Sequence, residues 1–384
     1  METTLGVARG REPNRRDLIQ LSAVVAASSL VGGAARAASG PASFALDACS
    51  RHLQWLRTPA ELAKGVTEIG LKGVDLTVAS APGHVDPGRA RTDLRSFVEG
   101  LRANGIATTA ITTAIVDADS PNAEVILDAA AQAGVRHYGW GGLRYDEAQP
   151  YRAQLEALKP RVEKLARLNE KYAMKGLYQP RAGAANVGYA FFDLLELFRP
   201  FDPRFVAIRY DTGSLLQATP QATVAQLRLG APYIGGLALK DARVQLDLPT
   251  WVEGYFNGPP EQLTGGDRGG DNVGRDGGAA LALGGGGKPL PYRIHPVRMG
   301  TGMLDLTLLG RTLKDIGFSG PAEVQVEFPL DGVEQGADRI TRTRQYVIGM
   351  LKHDRLMVEQ GFADAWGIDI ARPPFMRPRP AAAA

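Results

Sequence analysis

The chain predicts an α/β fold, a single-domain (β/α)8 TIM barrel with a glycine-rich insertion after its seventh strand. Three observations point there. Short β-branched runs alternate with helix-forming stretches along nearly the whole chain, as in repeated βα units. Several runs also split their residues by parity. Between Phe205 and Asp211, Val206, Ile208 and Tyr210 share one face while Ala207, Arg209 and Asp211 share the other. That is a strand whose greasy side meets helices and whose other side lines a barrel. Finally, inward polar residues gather at strand ends: Gln179, Asp211, Lys240 and Glu327. Barrels carry catalytic groups at those C-terminal ends. Structural polar layers inside barrels produce the same pattern, so parity alone leaves both readings open.

Before the barrel, residues 1–37 read as an export signal of the twin-arginine type. Arg15-Arg16 precedes a moderately apolar run from Leu21 to Val31, and Ala35-Arg36-Ala37 offers an Ala-x-Ala cleavage site. The expected location is the periplasm or outside the cell, with residues 38–384 as the mature barrel.

The first strand is expected at Ser43–Leu46. Leu62–Ile69 is helical, stopped by Gly70. Gly73–Val78 is the second strand, followed by a loop holding His84 and a helix from Thr92 to Ala103. Ile106–Ile115 is the third strand, β-branched almost throughout. Ser120 has the chemistry of an N-cap for a helix opening at Pro121. Val135–Trp140 is the fourth strand and Leu158–Tyr172 a long helix. Leu177–Gln179, Phe205–Asp211, Gly236–Lys240 and Glu323–Phe328 complete the eight strands. A Thr-Gly turn closes the sixth. Helices fall at Tyr189–Phe198, Gln221–Leu229, Leu304–Ile316 and Gln335–Gln360. The rival architecture, an open doubly wound sheet, lacks the Gly-x-Gly-x-x-Gly that would open a helix after a strand. Residues 254–288 break the rhythm with runs of Gly, Asp and Asn, too polar to bury a core of their own. They read as a tolerated insertion or as a lid over the mouth.

Composition narrows the function. The chain has 384 residues, a formal charge of only +3 and one cysteine. That balance does not argue for binding to nucleic acid or a membrane surface, and Cys49 alone makes neither an internal disulfide nor a cysteine-based metal site. No apolar run after the N-terminus is long enough to span a bilayer. A Gly-x-Ser-x-Gly elbow is missing, so a serine triad is unsupported.

Several segments together resemble the sugar phosphate isomerase/epimerase family of xylose-isomerase-like TIM barrels. They are Leu71–Leu76, Tyr210-Asp211-Thr212-Gly213, Leu237–Asp241, Met299–Asp305 and Val326–Leu330. The resemblance runs from about residue 43 to 355. It implies a divalent metal, Mg²⁺ or Mn²⁺, that polarises a sugar carbonyl while a carboxylate takes the neighbouring proton. No organic cofactor is implied. Carried over, the four metal positions fall on Gln179, Asp211, Ala238 and Glu327, so only Asp211 and Glu327 keep a carboxylate. Related branches show histidines where this chain has Gln179, Arg181 and Ser214. Two carboxylates and an amide make a weak hard-cation site.

The expected activity is therefore carbonyl-adjacent proton transfer on a sugar or polyol, with Glu327 as base and Lys240 supplying positive charge. Gln179, Arg181, Ser214, His84, Trp140 and Tyr145 are candidate substrate contacts, the aromatics by stacking. Two alternatives stand beside it: a non-catalytic sugar-binding barrel with an eroded metal site, and a lyase or hydrolase acting on oxidised (keto) glycosides.

Overall fold

The computed structural model describes residues 44–80, 83–219, 221–246, 283–284, 288–289, 292–327 and 341–369. The expected signal at 1–37, nearly all of the insertion at 254–288, and Phe328 to Leu330 lie outside them.

Eight parallel strands close into a barrel. They are β1 (Asp47–Cys49), β2 (Gly73–Thr77), β3 (Ala107–Thr112), β4 (His137–Trp140), β5 (Lys175–Tyr178), β6 (Val206–Asp211), β7 (Ile234–Leu239) and β12 (Ala322–Val324). Neighbours follow chain order round the barrel, and β12 pairs with both β7 and β1 to close it. The helices between them are α1 (Pro59–Ile69), α2 (Ala90–Ala103), α3 (Ala123–Gln132), α4 (Tyr151–Lys171), α5 (Phe192–Phe198), α6 (Thr212–Ala218), α7 (Thr223–Gly230) and α8 (Leu306–Asp315), with α9 (Thr341–Trp366) last. The apolar core fills the layer between barrel and helices, with Val206, Ile208, Tyr210, Leu237 and Val324 all buried there. No helix of the described residues is long and apolar enough to cross a membrane.

Local chemistry explains where the expected bounds move. Helix α1 starts at Pro59, ahead of the expected Leu62. Thr58 and Glu61 form a reciprocal capping box there, with proline in the first turn. Gly70 ends the helix in the left-handed region (φ 91°), as expected. The first strand is Asp47–Cys49 rather than Ser43–Leu46. Phe44 instead packs on Phe362 and Trp366 of α9, with ring centroids 4.7 and 5.4 Å away, so its apolar character reflects helix contact and not a strand face.

Ser120 does not cap α3. Its Oγ accepts from the backbone N–H groups of Val116 and Asp117, closing the preceding loop, and the cap position falls to Asn122 in a left-handed conformation. The expected Thr-Gly turn after β6 is a helix, α6. Asp211 caps it by accepting the Ser214 N–H at 2.9 Å.

An antiparallel ribbon, β8 (Asp241–Leu246) with β11 (Tyr292–Val297), follows β7 directly and brackets the insertion. Within the insertion, β9 (Leu283–Gly284) pairs with β10 (Lys288–Pro289). Asp241 ties the base of this ribbon to the next loop. Its Oδ2 accepts from the Gly300 and Gly302 N–H groups, and its Oδ1 from those of Ala242 and Leu304. A Cβ at Gly302 would lie 2.2 Å from Asp241 Oδ1, so this close approach needs glycine.

Candidate functional site

Register decides which side chains meet inside the barrel. Asp211 on β6 pairs with Ala238 on β7, Ala238 with Glu323 on β12, and Glu323 with Asp47 on β1. Partners in register share a face, so this rung is inward throughout. Towards the C-terminal ends, Lys240 and Gln325 follow Ala238 and Glu323 by one inward step, Glu327 follows Glu323 by two, and Gln179 follows Tyr178 at the end of β5.

There the Lys240 ammonium lies between two carboxylates. Its Nζ is 2.8 Å from Asp211 Oδ2 and also donates to Glu327 Oε1. Gln179 Nε2 donates to the same Asp211 Oδ2 at 2.8 Å and to Gln325 Oε1 at 3.1 Å. Burial alone would lower the Lys240 pKa, but Asp211 and Glu327 outweigh it and raise the pKa well above the usual lysine value of 10.5. Lys240 is therefore a fixed positive charge at neutral pH and holds its proton.

Beneath lies a second cluster. Arg209 is buried, with Nη2 2.7 Å from Asp75 Oδ2 and Nη1 2.6 Å from Glu323 Oε1. Nη1 also donates to Thr112 Oγ1 at 3.0 Å. Gly139 makes room for the guanidinium, since a Cβ there would lie 3.2 Å from its central carbon. Desolvation, with Asp75 nearby, pushes Glu323 up to about 7. Desolvation does the same for Asp47, also to about 7, against the hydrogen bond it accepts from Thr109. Burial pushes the Cys49 thiol up as well, which removes it as a thiolate nucleophile.

The structure brings Gln179, Asp211, Lys240 and Glu327 together, with the backbone of Ser214 on Asp211. The other candidates lie elsewhere. Trp140 belongs to the outward parity of β4 and packs against Tyr178 and, at 6.0 Å, Phe198 of α5. It is buried in the helix layer, where no sugar ring could stack on it. Tyr145 lies flat on Tyr151 at 4.6 Å and donates to Asp193 Oδ2, so one face and the hydroxyl are engaged in packing. His84 is buried edge-on to Phe97 of α2, and burial with nearby Arg57 lowers its pKa to about 4. Arg181 is exposed in the loop after β5.

His52 was not legible in the sequence. It follows β1, and its Nε2 accepts the Val326 N–H at 3.0 Å, just before Glu327. Burial, Arg51 and Lys240 together lower its pKa to about 3, so it is a neutral prop for the β12 end. A lone histidine after a strand has no local signal for that role.

The donor set does not fit the divalent metal that the fold family implies. The ammonium of Lys240 already occupies the position between Asp211 and Glu327 that a cation would take, and Asp211 Oδ1 is taken by the Ser214 N–H. Ala238 offers no donor atom. Among the described residues no group of three or more His, Cys, Asp or Glu side chains could hold a metal ion.

Comparison with known proteins agrees with the architecture. A family model described as a xylose isomerase-like TIM barrel matches residues 63–343. Among solved structures, the IOLI protein with a zinc atom is 13% identical with a TM-score of 0.57, over 83% of this chain and 100% of that one. D-psicose 3-epimerase with D-tagatose, from Clostridium cellulolyticum H10, is 12% identical with a TM-score of 0.54, over 83% of this chain and 99% of that one. L-ribulose 3-epimerase is 14% identical with a TM-score of 0.53, over 86% of this chain and 100% of that one. At such identities these likenesses concern the fold alone. No curated protein matches the chain.

Proposed function

Since the chain belongs to the xylose isomerase-like TIM barrel family, we propose that it acts on a sugar or polyol by proton transfer next to a carbonyl, as an isomerase or epimerase. The observation that carries this reading is the Lys240 ammonium held between Asp211 and Glu327 at the C-terminal ends of β6, β7 and β12. Glu327 is the member of that group open to solvent, with 30% of its side chain exposed. It takes the proton from the carbon beside the carbonyl, and the electron pair moves onto the carbonyl oxygen to give an enediolate. Lys240 lies beside the developing negative charge and stabilises it electrostatically without giving up its proton. Return of the proton from Glu327 to the neighbouring carbon, with the enediol hydroxyl proton passing to the former carbonyl oxygen, isomerises the sugar; protonation of the original carbon from its other face by a solvent water, with the Glu327 proton passing to the hydroxide left behind, epimerises it. The relatives named as D-psicose and L-ribulose epimerases support the substrate class. No step is derived through a divalent metal.

Proton NMR in D₂O tests this. A panel of keto sugars incubated with the protein should exchange the proton beside the carbonyl for deuterium, and Glu327→Gln should stop the exchange. The ion pairs that already tie Lys240 to Asp211 and Glu327 favour one second reading, a non-catalytic sugar-binding barrel. Binding without exchange in the wild-type protein would establish that reading instead.

We also infer export. Arg15-Arg16 ahead of the apolar run, and Ala35-Arg36-Ala37 after it, support removal of the leader near Ala37 and a periplasmic or secreted mature protein. Mass spectrometry of the protein from the periplasmic fraction checks the new N-terminus. An intact Met1 in the cytoplasm would overturn it.

A further inference from the structure

Among the described residues, the polar groups at the barrel mouth leave a defined set of hydrogen-bonding atoms free, and that set bears on the charge class of the ligand. Glu323 Oε1 is the fixed point. It accepts from Arg209 Nη1 at 2.6 Å and from Gln325 Nε2 at 2.6 Å. An oxygen facing a guanidinium repels a second acceptor, so the Gln325 amide must present its NH₂ there. This holds in either protonation state of Glu323, because a proton would sit on Oε2, away from Arg209.

Gln325 Oε1 is thereby turned toward Gln179 and accepts from its Nε2 at 3.1 Å. The same Nε2 donates to Asp211 Oδ2 at 2.8 Å. With acceptors on both of those contacts, the Gln179 amide cannot flip without setting oxygen against oxygen. Its Oε1 accepts no hydrogen bond among the described residues. Lys240 has three N–H donors and commits two of them, to Asp211 and Glu327. Glu327 commits Oε1 and has no second partner for Oε2 among the described residues.

Among the described residues the free groups are thus two acceptors, Gln179 Oε1 and Glu327 Oε2, beside one ammonium N–H and the second N–H of Gln325 Nε2. Hydroxyl hydrogens suit the acceptors and a carbonyl oxygen suits the ammonium. A phosphate or carboxylate brings only acceptors, and it would face two carboxylates held by a single lysine. Arg181 is exposed, where an ion pair adds little.

We propose that the site takes an uncharged polyhydroxy ligand, a free sugar or polyol, and discriminates against phosphorylated or carboxylated counterparts. Gln179 Oε1 reads one ligand hydroxyl, and Gln325 is the positioning residue that holds the Gln179 amide in that sense. The proposal rests on the sugar reading above.

Calorimetric titration with a free ketohexose, its phosphate ester, the corresponding hexuronate and a deoxy analogue set tests it on the full-length protein. The neutral sugar should bind about tenfold or more tightly than the two anions, and one deoxy analogue should lose about tenfold, the worth of one hydrogen bond to a buried site. Gln325→Leu and Gln179→Leu should both abolish the discrimination between sugar and that analogue, a ratio that a purely structural loss would leave unchanged. Gln179→Leu keeps the Arg209 and Gln325 hydrogen bonds to Glu323, so it decides the matter even if Gln325→Leu fails to fold. Equal or tighter binding of the phosphate or hexuronate overturns the proposal and leaves the sugar reading standing. A discrimination ratio unchanged in both variants overturns the role of the amide chain. If no carbohydrate binds, the sugar reading itself falls and the proposal with it.

Discussion

Replacing Lys240 with methionine keeps the apolar stem and removes the charge between the two carboxylates. The two arms of its bridge differ in depth. The Lys240 side chain is 7% exposed, Asp211 1% and Glu327 30%. Loss of the buried arm strands the Asp211 carboxylate, and stranding a buried charge costs roughly 3–5 kcal/mol. The Glu327 arm reaches solvent and adds at most about 1 kcal/mol. Asp211 keeps its hydrogen bonds from Gln179 and the Ser214 N–H, which places the total near 3 kcal/mol. At roughly 2 °C per kcal/mol for a chain of this size, Tm should fall by about 6 °C.

The cause is a stranded charge and not a lost contact, so removing that charge should restore part of the loss. The double variant Lys240→Met, Asp211→Asn should recover about 1–2 kcal/mol relative to the sum of the single changes. Urea unfolding followed by circular dichroism, with thermal melts, measures all corners of the cycle. Two results would refute the reasoning: a melting temperature for Lys240→Met within about 1 °C of wild type, or a cycle additive to within about 0.5 kcal/mol.

Glu327→Gln should lower any turnover at least about 100-fold, the usual span of a lost general base, yet shift Tm by no more than about 2 °C, because among the described residues the side chain makes one partly exposed polar contact. Steady-state kinetics beside melting curves checks both halves. Arg209→Met removes the single cation shared by Asp75 and Glu323 at 2–3% exposure. It should cost about 3–5 kcal/mol, read by urea unfolding. The pH dependence of stability should carry the mark of Asp47. Its pKa is raised from 3.8 to about 7 in the folded chain, so the folded state binds the proton more tightly than the unfolded state. That contribution is fully present below about pH 4 and is lost as the pH rises through about 7. Glu323 acts with the same sign. Melting temperatures from pH 5 to 8 should therefore decline less steeply in Asp47→Asn than in wild type, and an unchanged slope would count against it.

The barrel and the inward facing of its key residues were legible because both depend on local periodicity. A period of two separates Val206, Ile208 and Tyr210 from Arg209 and Asp211 whatever surrounds them, and the same rule puts Glu323, Gln325 and Glu327 on one face. Element ends were less legible, because they depend on single hydrogen bonds. Asp211 turns an expected loop into α6 through one bond to the Ser214 N–H, while Ser120 spends its oxygen on the loop before α3.

What only the tertiary structure decided is who meets whom. Trp140 and Tyr145 look like sugar-stacking residues in a linear reading, but strand parity and helix packing bury one in the helix layer and lay the other on Tyr151. His52 has no sequence signal, yet it accepts the backbone N–H next to Glu327 from 274 residues away along the chain. Arg209 could be read as inward, but not as the partner of Asp75 and Glu323, because those pairings span 134 and 114 residues. The amide chain from Glu323 through Gln325 and Gln179 to Asp211 depends on barrel closure. It links the C-terminal ends of β5 and β6, which are neighbours in the sheet, to that of β12 across the barrel interior. Periodicity assigns a side chain to a face; closing the barrel assigns it a partner, and the chemistry of this site resides in the partners.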